Sequence, residues 1–130
     1  MEKLVNCNIV IDIELIELIS GGNQDFEVVF STKDKERYKI VFTFVWDMRY
    51  TIENGCIDRF YRFERDCRQN SSIVSVENSS YIKYFEQQVS GTRPIQDVKD
   101  YIIFDAIDTV LEVLTPVEPV LVKLTQDEGQ

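Results

Sequence analysis

Two aspartates, Asp105 and Asp108, lie three residues apart between two apolar segments. A pair of carboxylates can act in general acid/base catalysis or hold Mg²⁺. Asp is also common in turns between strands, where its side chain accepts hydrogen bonds from nearby backbone N–H groups. We favour the turn interpretation, and a carboxylate-only enzyme is the alternative.

The chain contains no histidine. This excludes Ser-His-Asp and Cys-His nucleophiles, imidazole acid/base catalysis and almost every zinc or non-haem iron site. The glycine patterns that cradle nucleotide phosphates are absent as well. Cys7, Cys56 and Cys67 share no CxxC spacing, which indicates reduced thiols and neither a disulfide framework nor a metal cage. We therefore expect no metal and no cofactor.

Four arginines, Arg59, Arg62, Arg65 and Arg68, recur every three residues. On a helix this interval winds the guanidinium groups around the axis, which indicates a solvated face with local ion pairs and not a phosphate-binding stripe. A thiolate at Cys67, activated by these arginines, is a second enzymatic alternative.

Two other charged positions bear on packing. Glu112 stands within the apolar run 110–114, and we expect it to face solvent on an edge strand, the alternative being a buried acid. Arg49 stands between Asp47 and Glu53, where an arginine–carboxylate bridge could fix a strand-to-helix junction.

The chain has 23 acidic and 14 basic residues, a net charge of −9, so its average surface repels nucleic acid. The acid is in excess at both ends. Residues 1–30 hold six acids and one base, and residues 95–130 hold eight acids and two bases, whereas residues 31–94 hold nine acids and eleven bases. This asymmetry can attract a basic protein, although a negative surface also serves solubility.

The first twenty residues contain a short apolar stretch that Asp12, Glu14 and Glu17 interrupt, with no small-residue cleavage site after it. The pattern matches neither a signal peptide nor a membrane span. We expect the protein in the cytoplasm.

Alternating apolar residues predict strands over 8–15, 26–30 and 38–46, with a polar hairpin loop over 31–37. In the first strand the phase slips after Leu15, which a bulge or a bend could absorb before Gly21-Gly22-Asn23 turns the chain. A helix over 12–19 is the competing prediction. In the third strand, one face is filled by Tyr38, Ile40, Phe42, Phe44 and Trp46.

A helical period follows, with apolar side chains at positions 52, 56, 60, 63 and 67. The segment Asn78-Ser79-Ser80 supplies N-cap side chains for a second helix over 81–89, which Gly91 would end. Further apolar runs predict strands over 73–76, 98–104, 109–114 and 120–124, the last three as an antiparallel meander.

These elements predict an α+β fold, with a mostly antiparallel sheet of about six strands and two helices packed on it. Neither a repeat nor a long linker divides the chain. We expect one domain over 1–125 and a frayed tail over 126–130.

Three stretches resemble a group of small, largely uncharacterised bacterial cytoplasmic proteins: 42–60 (FTFVWDMRYTIENGCIDRF), 76–88 (VENSSYIKYFEQQ) and 100–119 (DYIIFDAIDTVLEVLTPVEP). Some members resemble immunity proteins that stand beside secreted polymorphic toxins. The resemblance implies neutralisation of a toxin by direct binding, and it brings no catalytic residue. Asp100 stands where relatives often have His, so no role of an imidazole carries over.

The combined prediction is a non-catalytic, acidic module that binds one basic protein partner, a toxin domain by the resemblance, and neither nucleic acid nor membrane. We expect the contacts where acid is in excess, at Asp12, Glu14 and Glu17 near the first strand and at Asp105, Asp108 and Glu112 near the last hairpin. A protein that self-associates through an exposed strand edge is the alternative.

Overall fold

The computed structural model describes residues 2–52, 71–89, 97–107 and 109–125, which form nine strands and one helix. The strands are β1 (Lys3–Asn6), β2 (Leu15–Gly22), β3 (Asp25–Ser31), β4 (Arg37–Phe42), β5 (Asp47–Ile52), β6 (Ile73–Glu77), β7 (Lys99–Phe104), β8 (Thr109–Thr115) and β9 (Val120–Lys123). The helix, α1, is Ser80–Gln88 and follows β6.

The strands belong to two antiparallel sheets. One sheet has the order β1-β6-β7-β8-β5 and the other the order β2-β3-β4-β9. Alternate side chains of both sheets meet in one core, whose buried members are Ile9, Ile13, Val28, Phe30, Ile40, Phe42, Val45, Ile73, Tyr101, Ile103, Leu111 and Val113. Period-2 alternation in each strand therefore builds a two-layer sandwich.

The opposite face of the five-stranded sheet is also buried. Leu4, Val74, Val76, Ile102 and Val110 form a second apolar cluster there. The helix α1 lies on this face, because Ser79 at its N-cap bonds to β7 and Tyr81 in its first turn bonds to β5. The central strands of this sheet are thus covered on both faces, and most of the side chains buried there are apolar.

The expected single sheet of about six strands with two helices is wrong. The described residues form two sheets of five and four strands, with one short helix. Alternation along a strand reports which face is buried, but it carries no information about which sheet the strand joins. The predicted helix from position 52 lies outside the described residues except for Ile52, which is the last residue of β5.

The predicted strand 38–46 ends four residues early. β4 stops at Phe42, and Phe44 takes a left-handed backbone with φ of 52° and an exposed side chain. The chain here leaves the four-stranded sheet and enters the five-stranded one as β5. Phe44 and Trp46 continue the alternating pattern of β4 in the sequence, so the pattern hides this crossing.

The predicted strand 8–15 is also wrong. Residues 8–14 form an irregular crossing segment, in which Ile9 and Ile13 are buried and Ile13 N donates to Ser72 Oγ at 2.8 Å. Apolar and polar residues alternate in this segment because some of its side chains are buried, although its backbone pairs with no neighbouring strand. The competing helix over 12–19 is wrong as well, because β2 is a strand whose register shifts between Ile16 and Leu18, as the predicted bulge requires.

The remaining local predictions agree with the structure. The strands at 26–30, 73–76, 98–104, 109–114 and 120–124, the hairpin loop at 31–37 and the helix at 81–89 are all present within a residue or two. The N-cap is Ser79, whose Oγ accepts from Ile82 N. The positions of Gly91 and of the tail over 126–130 lie outside the described residues.

The prediction of a three-strand meander at the C-terminal end is only partly correct. β7 and β8 pair as an antiparallel hairpin, but β9 pairs with β4 in the other sheet. The reason is that β8 already has a neighbour on each side, β7 and β5. A third consecutive strand must therefore find another edge.

Candidate functional site

The structure brings together the two segments in which partner contacts were predicted. Ile16 N donates to Asp105 Oδ2 at 3.0 Å, and Ala106 N donates to Glu14 O at 3.2 Å. The start of β2 and the turn between β7 and β8 are therefore adjacent, although about ninety residues separate them in the sequence. Asp12 and Glu14 precede β2 at this junction, and Glu17 is the third residue of β2.

Asp105 is buried at the junction and serves the backbone. Its Oδ1 accepts from Ile107 N and Thr109 N, each at 3.0 Å, and its Oδ2 accepts from Ile16 N. This confirms the turn interpretation for Asp105. With both oxygens engaged by backbone donors, the carboxylate is poorly placed for proton transfer or for contact with a partner. Asp108, its predicted companion, lies outside the described residues.

Glu112 is 2% exposed, so the expectation that it faces solvent is wrong. It lies on β8 directly opposite Arg49 on β5, and its Oε1 accepts from Arg49 Nη2 at 2.7 Å and Nε at 2.9 Å. β8 is an interior strand covered on both faces, and a carboxylate there requires a charged partner. Arg49 thus bridges to Glu112 across the two strands, which the sequence did not predict, and the described partner of Asp47 is Tyr81. Glu53 lies outside the described residues.

A polar network joins this ion pair to α1. The Tyr81 hydroxyl donates to Asp47 Oδ2 at 2.8 Å, and the Arg49 guanidinium lies 4.1 Å from the centre of the Tyr81 ring. Burial, followed by the hydrogen bond to Asp47, raises the pKa of Tyr81 well above its ordinary value. The phenol therefore stays protonated and acts as a fixed donor that anchors the helix to the sheet.

A second bond anchors the same helix. The Ser79 hydroxyl donates to Asp100 Oδ2 at 2.6 Å while it caps α1. Sequence reasoning missed both anchors, since each joins residues more than twenty positions apart. The only available signal was the N-cap motif itself.

Two further groups could carry chemistry, and neither forms a reactive centre. Burial raises the pKa of Tyr101 to about 12, so its hydroxyl is a weaker acid than an exposed phenol. The single S–H of Cys7 has two carbonyl acceptors within reach, Ile9 O at 3.5 Å and Ile73 O at 3.9 Å from Sγ. Cys56 and Cys67 lie outside the described residues, and within the described ranges no three His, Cys, Asp or Glu side chains are grouped to hold a metal ion.

The exposed surface beside the junction combines acid and aliphatic side chains. We call it the acidic edge and define it as Val10, Asp12, Glu14, Leu15, Glu17, Leu18 and Ile107. Val10, Leu15, Leu18 and Ile107 are 44–58% exposed. Asp12 and Glu17 are exposed and Glu14 is half-buried. Glu17 forms an ion pair with Arg37 on β4 at 3.0 Å.

The described surface also has an open cleft of about 550 Å³ that contains Lys35, Arg37 and Lys123. Arg37 is bonded to Glu17, and Lys123 lies 3.6 Å from a Glu36 oxygen. Because two of its cations already face carboxylates, this cleft is a poor receptor for a free anion.

Comparisons of the chain with protein-family models, with curated proteins and with solved structures find no match. Among the described residues there is no helix of the length and apolarity needed to cross a bilayer.

Proposed function

We propose that the protein is a binding module that docks one basic protein through the acidic edge. One observation carries the proposal. Eight large apolar side chains are exposed in the described part of the chain, and two of them, Leu15 and Ile107, adjoin the residues that bond across the junction. Exposed apolar groups that lie close together mark interaction sites.

The two kinds of side chain have different tasks in such an interface. Leu15, Leu18 and Ile107 offer apolar area that a partner can remove from water. The exposed carboxylate of Asp12 favours a positively charged partner and raises its rate of association, whereas the charge of Glu17 is already met by Arg37. Binding of this kind requires no catalytic group.

The resemblance of the chain to immunity proteins supports a more specific partner. We propose a toxin domain that is neutralised when the docked module covers its active site, and we place the complex in the cytoplasm. The net charge of −9 favours association with a basic protein.

Self-association through β2 is the second candidate. Among the described strands β2 pairs only with β3, so one of its edges is available for another strand. The bulge at Glu17 interrupts that edge, and the N–H of Ile16 already donates a hydrogen bond to Asp105. Bulges and charges on an edge are features that discourage edge-to-edge pairing, so this candidate is the weaker one.

The test is affinity capture with three forms of the purified domain. The first is the wild type, and the second is the edge variant Asp12→Asn, Glu17→Gln, Leu18→Thr. The third is a matched control, Glu86→Gln, Asp97→Asn, Val120→Thr, which changes two exposed acids and one exposed aliphatic elsewhere. Both variants have the same net charge.

We expect the wild type and the control to retain a basic protein that salt releases, and the edge variant to lose it. The retained protein, expressed alone, should inhibit bacterial growth, and co-expression of the wild-type domain should restore it. Equal retention by all three forms would refute the acidic edge as the site. Absence of any salt-sensitive partner, with a dimer seen by light scattering, would favour self-association instead.

A further inference from the structure

The four-stranded sheet carries apolar residues on both of its faces. Three of its strands contain an apolar triplet: Val28-Val29-Phe30, Ile40-Val41-Phe42 and Val120-Leu121-Val122. Part of each triplet packs in the core between the two sheets, and successive residues of a strand point to opposite faces. The members that point away from the core are Val29, Val41, Val120 and Val122. An antiparallel sheet with one face in water normally carries polar side chains there, so these valines make the face unusually apolar.

The pairing register shows which side chains lie together on this side of the sheet. Two adjoining rows cross it, Leu18, Val29, Lys39 and Val122 in one and Glu27, Val41 and Val120 in the next. Leu18 and Val120 belong to the two edge strands and are 55% and 56% exposed, so water reaches the face from both edges. We call it the outer face and define it as these seven residues together with Glu17 and Arg37, whose ion pair joins β2 to β4.

The charges of the outer face are balanced. Glu27 pairs with Lys39 at 3.0 Å, as Glu17 pairs with Arg37. The two acids stand on β2 and β3, and the two bases stand on β4. Because the whole chain carries a net charge of −9, two copies repel each other over most of their surface, but not here. A strongly basic protein, by contrast, finds no counter-charge on a neutral face.

We propose that two copies of the chain form a weak, two-fold dimer through their outer faces. A two-fold axis that runs parallel to the strands, between β3 and β4, sets β3 of each copy over β4 of the other and β2 over β9. The acidic side of one face then meets the basic side of the other, and Leu18 meets the valines of β9. The outer face is therefore complementary to itself in charge and in apolar area. The inference goes beyond the proposed function and requires no basic partner.

The size of the outer face sets the strength of this dimer. Four strands about 4.8 Å apart, with about five residues each at about 3.4 Å per residue, span about 300 Å². A standard interface buries about 800 Å² of each partner, so we expect a weak dimer with a Kd of about 0.1 mM. The contact uses side chains of a face and not the backbone of the β2 edge, so the bulge at Glu17 does not oppose it.

Sedimentation equilibrium of the whole chain, between about 10 µM and about 1 mM, tests the charge pattern. The variants are Lys39→Glu, the reversed pair Glu27→Lys with Lys39→Glu, and the control Lys83→Glu at an exposed base on α1, which has the same net charge as Lys39→Glu. We expect the wild type and the control to pass from monomer to dimer over this range. Lys39→Glu should raise the Kd at least tenfold, since it sets acid over acid twice, and the reversed pair should return it to within about threefold of the wild type.

Val120→Thr and Val10→Thr test the apolar contact. The two valines are 56% and 55% exposed, but only Val120 belongs to the outer face, and both variants should fold because both sites are exposed. Val120→Thr should raise the Kd about fivefold, since each copy loses the contact, whereas Val10→Thr should leave it unchanged. A wild type that stays monomeric at about 1 mM would overturn the proposal. So would a dimer that all variants form equally, which would indicate pairing at a strand edge. Either failure leaves the acidic edge to its own capture test.

Discussion

The two members of the Arg49–Glu112 pair differ sharply in exposure. The Glu112 side chain is 3% exposed, whereas the Arg49 side chain is 49% exposed. Water can therefore solvate the guanidinium when the pair is broken, but it reaches the carboxylate poorly. Most of the free-energy cost of removing this pair from water therefore falls on Glu112.

This difference predicts unequal effects of substitution. Arg49→Met should lower the free energy of unfolding by about 3 kcal/mol, because it removes the counter-charge of a buried carboxylate. Glu112→Gln should lower it by less, about 1 kcal/mol, since the exposed guanidinium is hydrated. The double variant Arg49→Met, Glu112→Met should recover part of the loss. Urea unfolding at neutral pH measures all three, and equal losses in the single variants would contradict the argument.

The β2–β3 hairpin is the element whose geometry depends most on single backbone positions. Its two turn residues, Asn23 and Gln24, have φ of 56° and 79°, and Gly22 pairs with Asp25 across the turn. This is the backbone of a type I′ turn, whose twist suits a two-residue hairpin. The turn centre lies one position later than the Gly21-Gly22-Asn23 sequence indicated.

The two glycines before this turn should respond differently to alanine. Gly21 has φ of 141°, and a Cβ there would lie 2.2 Å from Asp25 O, whereas a Cβ on Gly22 would meet nothing within 4 Å. Gly21→Ala should therefore destabilise the domain by about 2 kcal/mol or more. Gly22→Ala should change stability by less than about 1 kcal/mol. Thermal unfolding of the two variants side by side checks this, and similar midpoints would be inconsistent with it.

At the scale of the whole molecule, Asp105 links the two sheets. Its carboxylate accepts from two N–H groups of its own turn and from Ile16, the second residue of β2 in the other sheet. The joint also positions the acidic edge, since Glu14 and Ile107 adjoin it. One buried side chain thus supports both the sandwich and the proposed docking surface.

Asp105→Ala should lower the free energy of unfolding by about 3 kcal/mol, because three backbone donors lose their acceptor. Asp105→Asn, which keeps acceptor capacity at one atom, should lose less. Asp34→Ala, in the exposed β3–β4 loop, serves as the control and should be close to neutral. Hydrogen exchange should show Ile16 N unprotected in Asp105→Ala. If the Ile16 amide stays protected in Asp105→Ala, Asp105 does not link the two sheets through that amide.

The parts of the fold that the sequence predicts correctly depend on neighbours along the chain. β3, β6, β7 and β8 follow from local alternation, and α1 follows from the cap at Ser79, since these signals act within a few residues. Asp105 could be assigned to a turn for the same local reason.

Tertiary structure alone decided which edges pair and which charges are buried. β9 joins β4 because β8 has no free edge, and Glu112 is buried because Arg49 lies opposite it on a strand more than sixty residues away. Strand pairing is settled by backbone hydrogen bonds between distant segments, which side-chain pattern does not encode. Composition and local period thus determined an acidic domain of alternating strands, and long-range pairing decided its division into two sheets.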